Sequence, residues 1–266
     1  AWAMIIADEL GVPMERIEVV FGDTDVIPSA NITGGSRSAQ LAGSAMLDAS
    51  TKLVESATDI AARLLEANPG DVVLDREQGA FHVVGTPAKT VPWIEVAGAT
   101  DEPLTGVSDF VQANSSFPFG AHCSVVEVDI DTGSVTLLRH VAVDDCGTIL
   151  NPLLADGQVH GGLAAGAAQA LLEEVRYDED GNPMTSNFAD YGVISATELP
   201  SFERVEMVTP TPLNPVGAKG IGESGTVGAT PAVQNAVVDA LAHLGVRHID
   251  MPCSPERVWR AASTAR

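Results

Sequence analysis

The sequence predicts an α+β protein, on three observations. Strand and helix patterns come in runs, without strict β–α–β alternation. SVVEVDIDTGSVTLLRHVAVDDCG, residues 124–147, alternates apolar and polar side chains on either side of Asp131-Thr132-Gly133, the pattern of a β-hairpin. DGQVHGGLAAGAAQALLEE, residues 156–174, reads as a helix so rich in Gly and Ala that another backbone can approach it closely.

Along the chain, AWAMIIADELG is an amphipathic helix with Ile5, Ile6 and Leu10 apolar and Gly11 as its stop. Its pattern is that of a folded helix, and we do not expect it to serve as a signal sequence. RIEVVFGDTD, 16–25, is a predicted strand running into a polar turn. ANITGGSRSAQLAGSAML, 30–47, passes from loop to a long helix in which Leu53, Ala57, Ile60 and Leu64 share a face and Asn68-Pro69-Gly70 marks the end. Short strands and prolines follow to about residue 118. In the hairpin, Val126, Val128 and Ile130 face Val135, Leu137, Arg139 and Val141. ERVEMVTP, 203–210, is a further strand. The next helix takes Thr230 as N-cap, Pro231 as first residue and Gly245 as stop, and SPERVWRAA repeats that logic with Ser254 and Pro255. We expect two α+β lobes, 1–118 (incomplete at its N-terminus) and 119–266. A chain that opens without Met and inside an element reads as a fragment or a processed subunit.

With 266 residues, 45% of them hydrophobic, the chain can bury one large core or two smaller ones. Mean hydropathy is +0.15, yet no run is long enough to span a bilayer. A formal net charge of −22 argues against nucleic-acid binding, which needs a basic surface. Cys123, Cys146 and Cys253 are far apart, with no CxxC, so this chain alone holds no iron–sulfur cluster. Without a disulfide framework, a reducing cytoplasm is the expected compartment.

Three glycine-rich stretches stand just before helices: GGSRS at 34–38, DDCGTILNP to GQVHGG at 144–162, and GAKGIGES at 217–224. Such junctions expose N–H groups to anions, phosphate above all. Arg37 and Lys219 would add charge, and Ser36, Ser38, Thr148, Asn151 and Gln158 directional hydrogen bonds. Equally, each can be a tight turn whose glycines supply positive φ. Neither a Walker loop nor a Rossmann fingerprint is present. Glu223, a lone carboxylate beside apolar Ile221, can be a desolvated general base or a carboxylate favoured by a helix N-terminus; its chemistry alone leaves both open. Cys146 reads best as a small buried hydrophobe, and His160 as a packing residue. Read from residues alone, the chain holds a phosphorylated ligand across several loops, with one candidate base.

FGDTD (21–25), GGSRSAQLAGSAML (34–47), DDCGTILNPLLADGQVHGG (144–162) and GAKGIGESGTVGATPAVQNAVVDAL (217–241), in this order, resemble the large subunits of molybdenum hydroxylases. These are the xanthine dehydrogenase, aldehyde oxidase and aerobic carbon monoxide dehydrogenase family. The resemblance spans nearly the whole chain and implies that family's C-terminal molybdopterin-binding region, with mixed sheets and packed helices. DDCG, with Cys146, is more similar to the bacterial carbon monoxide dehydrogenase type, which implies molybdopterin cytosine dinucleotide.

The resemblance also implies roles. Glu223 matches the glutamate beside molybdenum that takes a proton from the water-derived oxygen attacking an electron-poor carbon. Lys219, Gly220, Ile221 and Gly222 match the loop lining the cofactor, and Gln158 a glutamine close to the pterin. Cys146, Thr148 and Asn151 match one dinucleotide-contacting stretch, and Gly35, Ser36, Arg37 and Ser38 another. Molybdenum is held by the pterin dithiolene, so no protein metal ligand is expected. Partners implied are the N-terminal half of the large subunit, an iron–sulfur small subunit and an FAD-bearing medium subunit, in a dimer of heterotrimers. The sequence departs from the family in lacking the first half of the cofactor domain, with the loop that selects substrate and the cysteine that holds copper. Alone, this chain is expected to be inactive. The other reading is a non-catalytic fragment or carrier that holds the cofactor and assembles with partner chains.

Overall fold

The computed structural model of the protein describes residues 1–27 and 32–265, with only the backbone of Ala265; the predicted loop residues 30–31 lie outside the described residues. The architecture is α+β, as expected, in two compact units: residues 1–115 with 211–218, and residues 116–210 with 219–266.

In the first unit, helix α1 (Trp2–Leu10) ends at Gly11, whose φ of 62° is the predicted stop. A side chain there would strike the Arg76 carbonyl. The predicted strand after it is not formed. Ile17 is extended (φ −106°, ψ 119°), but residues 17–21 pair with no strand among the described residues. Extended backbone becomes a strand only when a neighbour completes its hydrogen-bond ladder.

Helix α2 (Ser38–Leu65) turns Ala57, Ile60, Ala61 and Leu65 inward. Leu64, expected on that face, is 41% exposed, because its neighbour Leu65 takes the inward position. Glu66 ends the helix in a left-handed conformation, and the Asn68 side chain caps the next turn by accepting the Gly70 N–H at 3.0 Å. Strands β1 (Val72–Asp75), β2 (Ala80–Val83) and β3 (Thr86–Pro92) form an antiparallel sheet in that order. It is followed by a short helix, α3 (Trp93–Gly98), which falls within the stretch read as short strands and prolines. Val72, Phe81, Val91 and Val96 meet the inner face of α2. Phe81 is fully buried, edge-on to Trp93 at 4.9 Å between centroids, and the Trp93 indole N–H donates to the Leu10 carbonyl at 2.7 Å.

The second unit is built on the predicted hairpin. Strands β4 (Phe119–Val128) and β5 (Val135–Asp145) are antiparallel, with Val126 opposite Leu137 and Val128 opposite Val135. Strand β6 (Glu203–Met207) lies along β5 in parallel, so this sheet is mixed. Helices α4 (Pro152–Leu171) and α5 (Ser224–Ala240) pack on each other, and α5 also packs on β4. Leu137, Leu171, Val233, Val237, Leu241 and Val258 make the main core, the last from helix α6 (Pro255–Ala265). The Gly and Ala content of α4 serves the close approach read from the sequence. A Cβ on Gly162 would lie 2.9 Å from the Thr226 nitrogen and 3.0 Å from the Gly225 Cα, and the Thr226 hydroxyl donates to the Gly162 carbonyl at 3.0 Å.

Two helix starts lie earlier than the sequence suggests, and that contact explains the second. Helix α4 starts at Pro152, ahead of the predicted 156–174 helix, so Gly157 to Gly162 are helical as that reading has them and not part of the glycine-rich stretch before a helix. Helix α5 starts at Ser224; Thr230 lies inside it instead of capping it, and Pro231 is interior. Proline removes one helical hydrogen bond. The backbone contact at Gly225 and the Thr226 bond hold the preceding turns helical, and the Thr230 hydroxyl donates back to the Thr226 carbonyl at 3.0 Å. Gly245 closes a short 3-10 turn after α5 rather than α5 itself. No helix among the described residues is long and apolar enough to cross a membrane.

Candidate functional site

The end of β5, the turn into α4 and the loop into α5 come together in the second unit. Asn151 begins α4, its side chain accepting the Leu154 N–H at 3.0 Å, with Pro152 at the first helical position. Thr148 is half-buried in the turn before it. Gln158 stands on the exposed face of α4, beside Gly157 and Gly161, where an added Cβ would meet open space.

The loop 219–223 runs beside the 145–148 turn. The Lys219 N–H donates to the Cys146 carbonyl at 2.7 Å. The Lys219 ammonium donates to Asp145 Oδ1 at 3.1 Å and lies 4.7 Å from the centroid of the Phe119 ring. Gly220 is buried, Gly222 exposed. Ile221 packs against the small cluster of Ala142, Val159, Leu163 and Ala229. It therefore turns inward and does not desolvate Glu223 as its neighbour in sequence suggested. Glu223 is exposed at the N-cap of α5.

Cys146 is the buried small hydrophobe read from the sequence. Burial pushes its thiol up, against the opposing pull of nearby Arg204. In the first unit, Gly35 and Ser36 both hold positive φ (61° and 52°) at the mouth of α2, an uncommon conformation for serine. Arg37 is the exposed N-cap residue, and the Ser38 and Thr33 hydroxyls share a hydrogen bond of 2.6 Å.

Sequence reasoning missed two buried groups. Asp145 has a fully buried side chain, and it also accepts the Gly147 N–H at 2.9 Å. Burial alone would raise its carboxyl, but hydrogen bonding from Thr209, the Gly147 N–H and Lys219 outweighs burial and brings it down to about 2. The signal was there: two consecutive aspartates at the end of a core strand cannot both face solvent. The second group is a chain of side chains under α5. The Ser124 hydroxyl bonds His140 Nδ1 at 2.8 Å, His140 Nε2 meets His122 Nδ1 at 3.3 Å, and His122 Nε2 meets Asp144 Oδ1 at 3.3 Å. A Cβ on Gly228 of α5 would lie 2.5 Å from the His122 ring. Hairpin register places Ser124 opposite His140 and Gly120 opposite Asp144, on one face of the sheet, but only beyond a bulge at Val125/Val126 that shifts the count from the turn by one residue and hides this cluster from the sequence.

Burial, and then the His122 charge, push His140 down to about 4, against the attraction of Asp144. Both His140 and Asp145 titrate below their unfolded values, so each contributes stability above its unfolded pKa that is lost on acidification. The expected windows are from 6.5 down to about 4 for His140 and from 3.8 down to about 2 for Asp145. Melting temperature should therefore already fall between pH 6.5 and 5, and His140→Gln should flatten that first decline. A melting temperature independent of pH over that interval would contradict the burial of a neutral His140.

Among the described residues, no group of three His, Cys, Asp or Glu side chains could hold a metal ion. The exposed side of α4 has open space at Gly157 and Gly161 on either side of Gln158, and the mouth of α5 offers backbone donors. A phosphate-bearing group suits this donor set.

Comparison with known proteins agrees. A family model described as "Molybdopterin cofactor-binding domain" matches residues 1–200. The chain is 41% identical over 267 residues to the carbon monoxide dehydrogenase large chain of Afipia carboxidovorans, covering 97% of this chain and 33% of that protein. A crystal structure of a Cu,Mo-CO dehydrogenase superposes with a TM-score of 0.91 at 41% identity, over 99% of this chain and 34% of that one. Quinoline 2-oxidoreductase from Pseudomonas putida 86 superposes with a TM-score of 0.84 at 34% identity, over 98% of this chain and 34% of that one. The chain thus spans about a third of the length of these relatives. With four motifs in order, the same fold and a family model over most of its length, the chain belongs to the molybdopterin cofactor-binding domain family.

Proposed function

We propose that this chain is the C-terminal cofactor-binding part of a molybdenum hydroxylase large subunit. The complete protein would oxidise a small substrate at an electron-poor carbon with water-derived oxygen. The observation that carries this reading is the meeting of the 145–148 turn with the 219–223 loop, whose Ile221 packs on Val159 and Leu163 of α4, with Glu223 exposed at the mouth of α5. When bound, molybdopterin supplies two-electron redox chemistry at molybdenum.

The chain's own residues hold and orient it. Gln158 and Thr148 donate hydrogen bonds, Gly220 and Gly222 let the backbone of 219–223 press close, and Cys146, Thr148 and Asn151 line the dinucleotide end. In the first unit, Gly35 to Ser38 offer a second helix mouth to a phosphate. Glu223 takes the proton from the attacking water on its carboxylate. The cofactor form is the cytosine dinucleotide, the partners are the remaining part of the large subunit, an iron–sulfur subunit and an FAD subunit in a dimer of heterotrimers, and the compartment is the cytoplasm.

The exposure of Glu223 also supports a second reading, a carrier in which this carboxylate only complements the helix dipole. Elemental and nucleotide analysis of the protein purified from its native source with its partners, followed by turnover assays, separates the readings. Molybdenum with released CMP supports the hydroxylase carrying the cytosine dinucleotide; neither molybdenum nor nucleotide in a folded, complete preparation overturns it. Molybdenum and CMP without turnover on aldehydes, carbon monoxide or N-heterocycles favours the carrier.

A further inference from the structure

We propose that Asp145 is a positioning residue for the 219–223 segment, acting through the Lys219 ammonium, which is committed to the fold and not to an anionic group of the cofactor. What that segment does rests on the function proposed above; how it is held does not.

Two independent links join the segment to the end of β5. One is main-chain, the Lys219 N–H on the Cys146 carbonyl at 2.7 Å. The other is the ion pair of Lys219 Nζ with Asp145 Oδ1 at 3.1 Å, between side chains 8% and 0% exposed. The ammonium is closed in further by the Phe119 ring, 4.7 Å away, and Phe119 is the cross-strand partner of Asp145. Asp145 in turn is fixed by the Gly147 N–H at 2.9 Å, which ties the same carboxylate to the turn that leads to Thr148 and Asn151. One buried carboxylate therefore sets the register between both cofactor-lining stretches of this unit. An ammonium reserved for a ligand's phosphate would sit in an open mouth without a buried counter-ion; here the charge is already balanced inside the protein.

A buried pair has a diagnostic asymmetry. Removing one partner leaves an uncompensated charge, whereas removing both does not. The test uses the complete subunit with its partner chains, carrying Lys219→Met, Asp145→Asn, or both. Three quantities are read: molybdenum and nucleotide content, turnover per bound molybdenum, and hydrogen exchange of residues 219–223. Lys219→Met should loosen exchange protection of the segment and lower turnover per molybdenum by on the order of 10- to 10²-fold, the effect of a small misplacement of a reacting group. Adding Asp145→Asn should restore much of both.

A double variant no better than Lys219→Met, with cofactor content lost in both, would make Lys219 a direct ligand and overturn the inference. So would a lower melting temperature in Lys219→Met with turnover per molybdenum and KM unchanged, which marks a pair that stabilises without positioning. Where Lys219→Met does not accumulate folded, its addition to Asp145→Asn gives the same comparison: recovery supports the inference and further loss overturns it. If the unaltered protein carries neither molybdenum nor nucleotide, the hydroxylase reading fails. Exchange protection of 219–223 across the three variants then still decides the Asp145–Lys219 link.

Discussion

Glu223→Gln in the complete subunit should lower turnover by about 10²–10⁴-fold, the usual contribution of a general base, while molybdenum and nucleotide stay bound. The substitution keeps the size of the side chain and one hydrogen-bond acceptor and removes only the charge and the basicity. Because Glu223 is exposed at the N-cap of α5 and Gln has the same size, the substitution should leave the fold intact. A carboxylate that merely complements the helix dipole is worth about 0.3–1 kcal/mol. That role predicts a small drop in melting temperature with near-normal turnover. Turnover within a few-fold of the unaltered enzyme, at full cofactor content, would therefore sink the base assignment and leave the dipole role standing.

The second large effect belongs to the helix pair that places Glu223. Gly162→Ala should destabilise by about 1–3 kcal/mol, the range for overpacking a dense site, and Gly162→Val by more. The neighbours a new Cβ would meet, the Thr226 nitrogen and the Gly225 Cα, are backbone atoms at 2.9 and 3.0 Å and cannot rotate away. Relief requires α5 to move off α4, which stretches the Thr226 hydroxyl's bond to the Gly162 carbonyl and shifts the first turn of α5, next to Glu223. Thermal unfolding measures the cost. A melting temperature unchanged in Gly162→Val would mean that the two backbones are not in contact at this point. Gly161→Ala is the internal comparison: an added Cβ there meets open space, so only the small helix-propensity gain remains.

The hairpin, the Gly/Ala-rich helix and the stop at Gly11 were legible in the sequence because each depends on local chemistry: alternation, small side chains, and a left-handed residue closing a helix. So was the membership of Glu223 and Lys219 in one loop stripped of bulk. Residues 17–21 were misjudged because extended propensity is local whereas strand formation needs a partner. Thr230 and Pro231 were misjudged because their start signal is sound locally, and contact with Gly162 outweighs it. Whether Ile221 covers Glu223 is open in the sequence, because the side chains of residues so close in sequence can part, here Ile221 into the core and Glu223 to solvent.

The sequence by itself determined the α+β class, the family and the set of glycine-rich motifs, since these reside in local pattern and motif order. Only the tertiary structure decided where α5 begins, that Asp145 takes up the Lys219 charge, and that His122, His140 and Asp144 form one buried chain. Those outcomes depend on which segments distant in sequence share a dry interior. There an unpaired charge is costly and a methyl group too many displaces a helix, and neither consequence is visible in a string of residues.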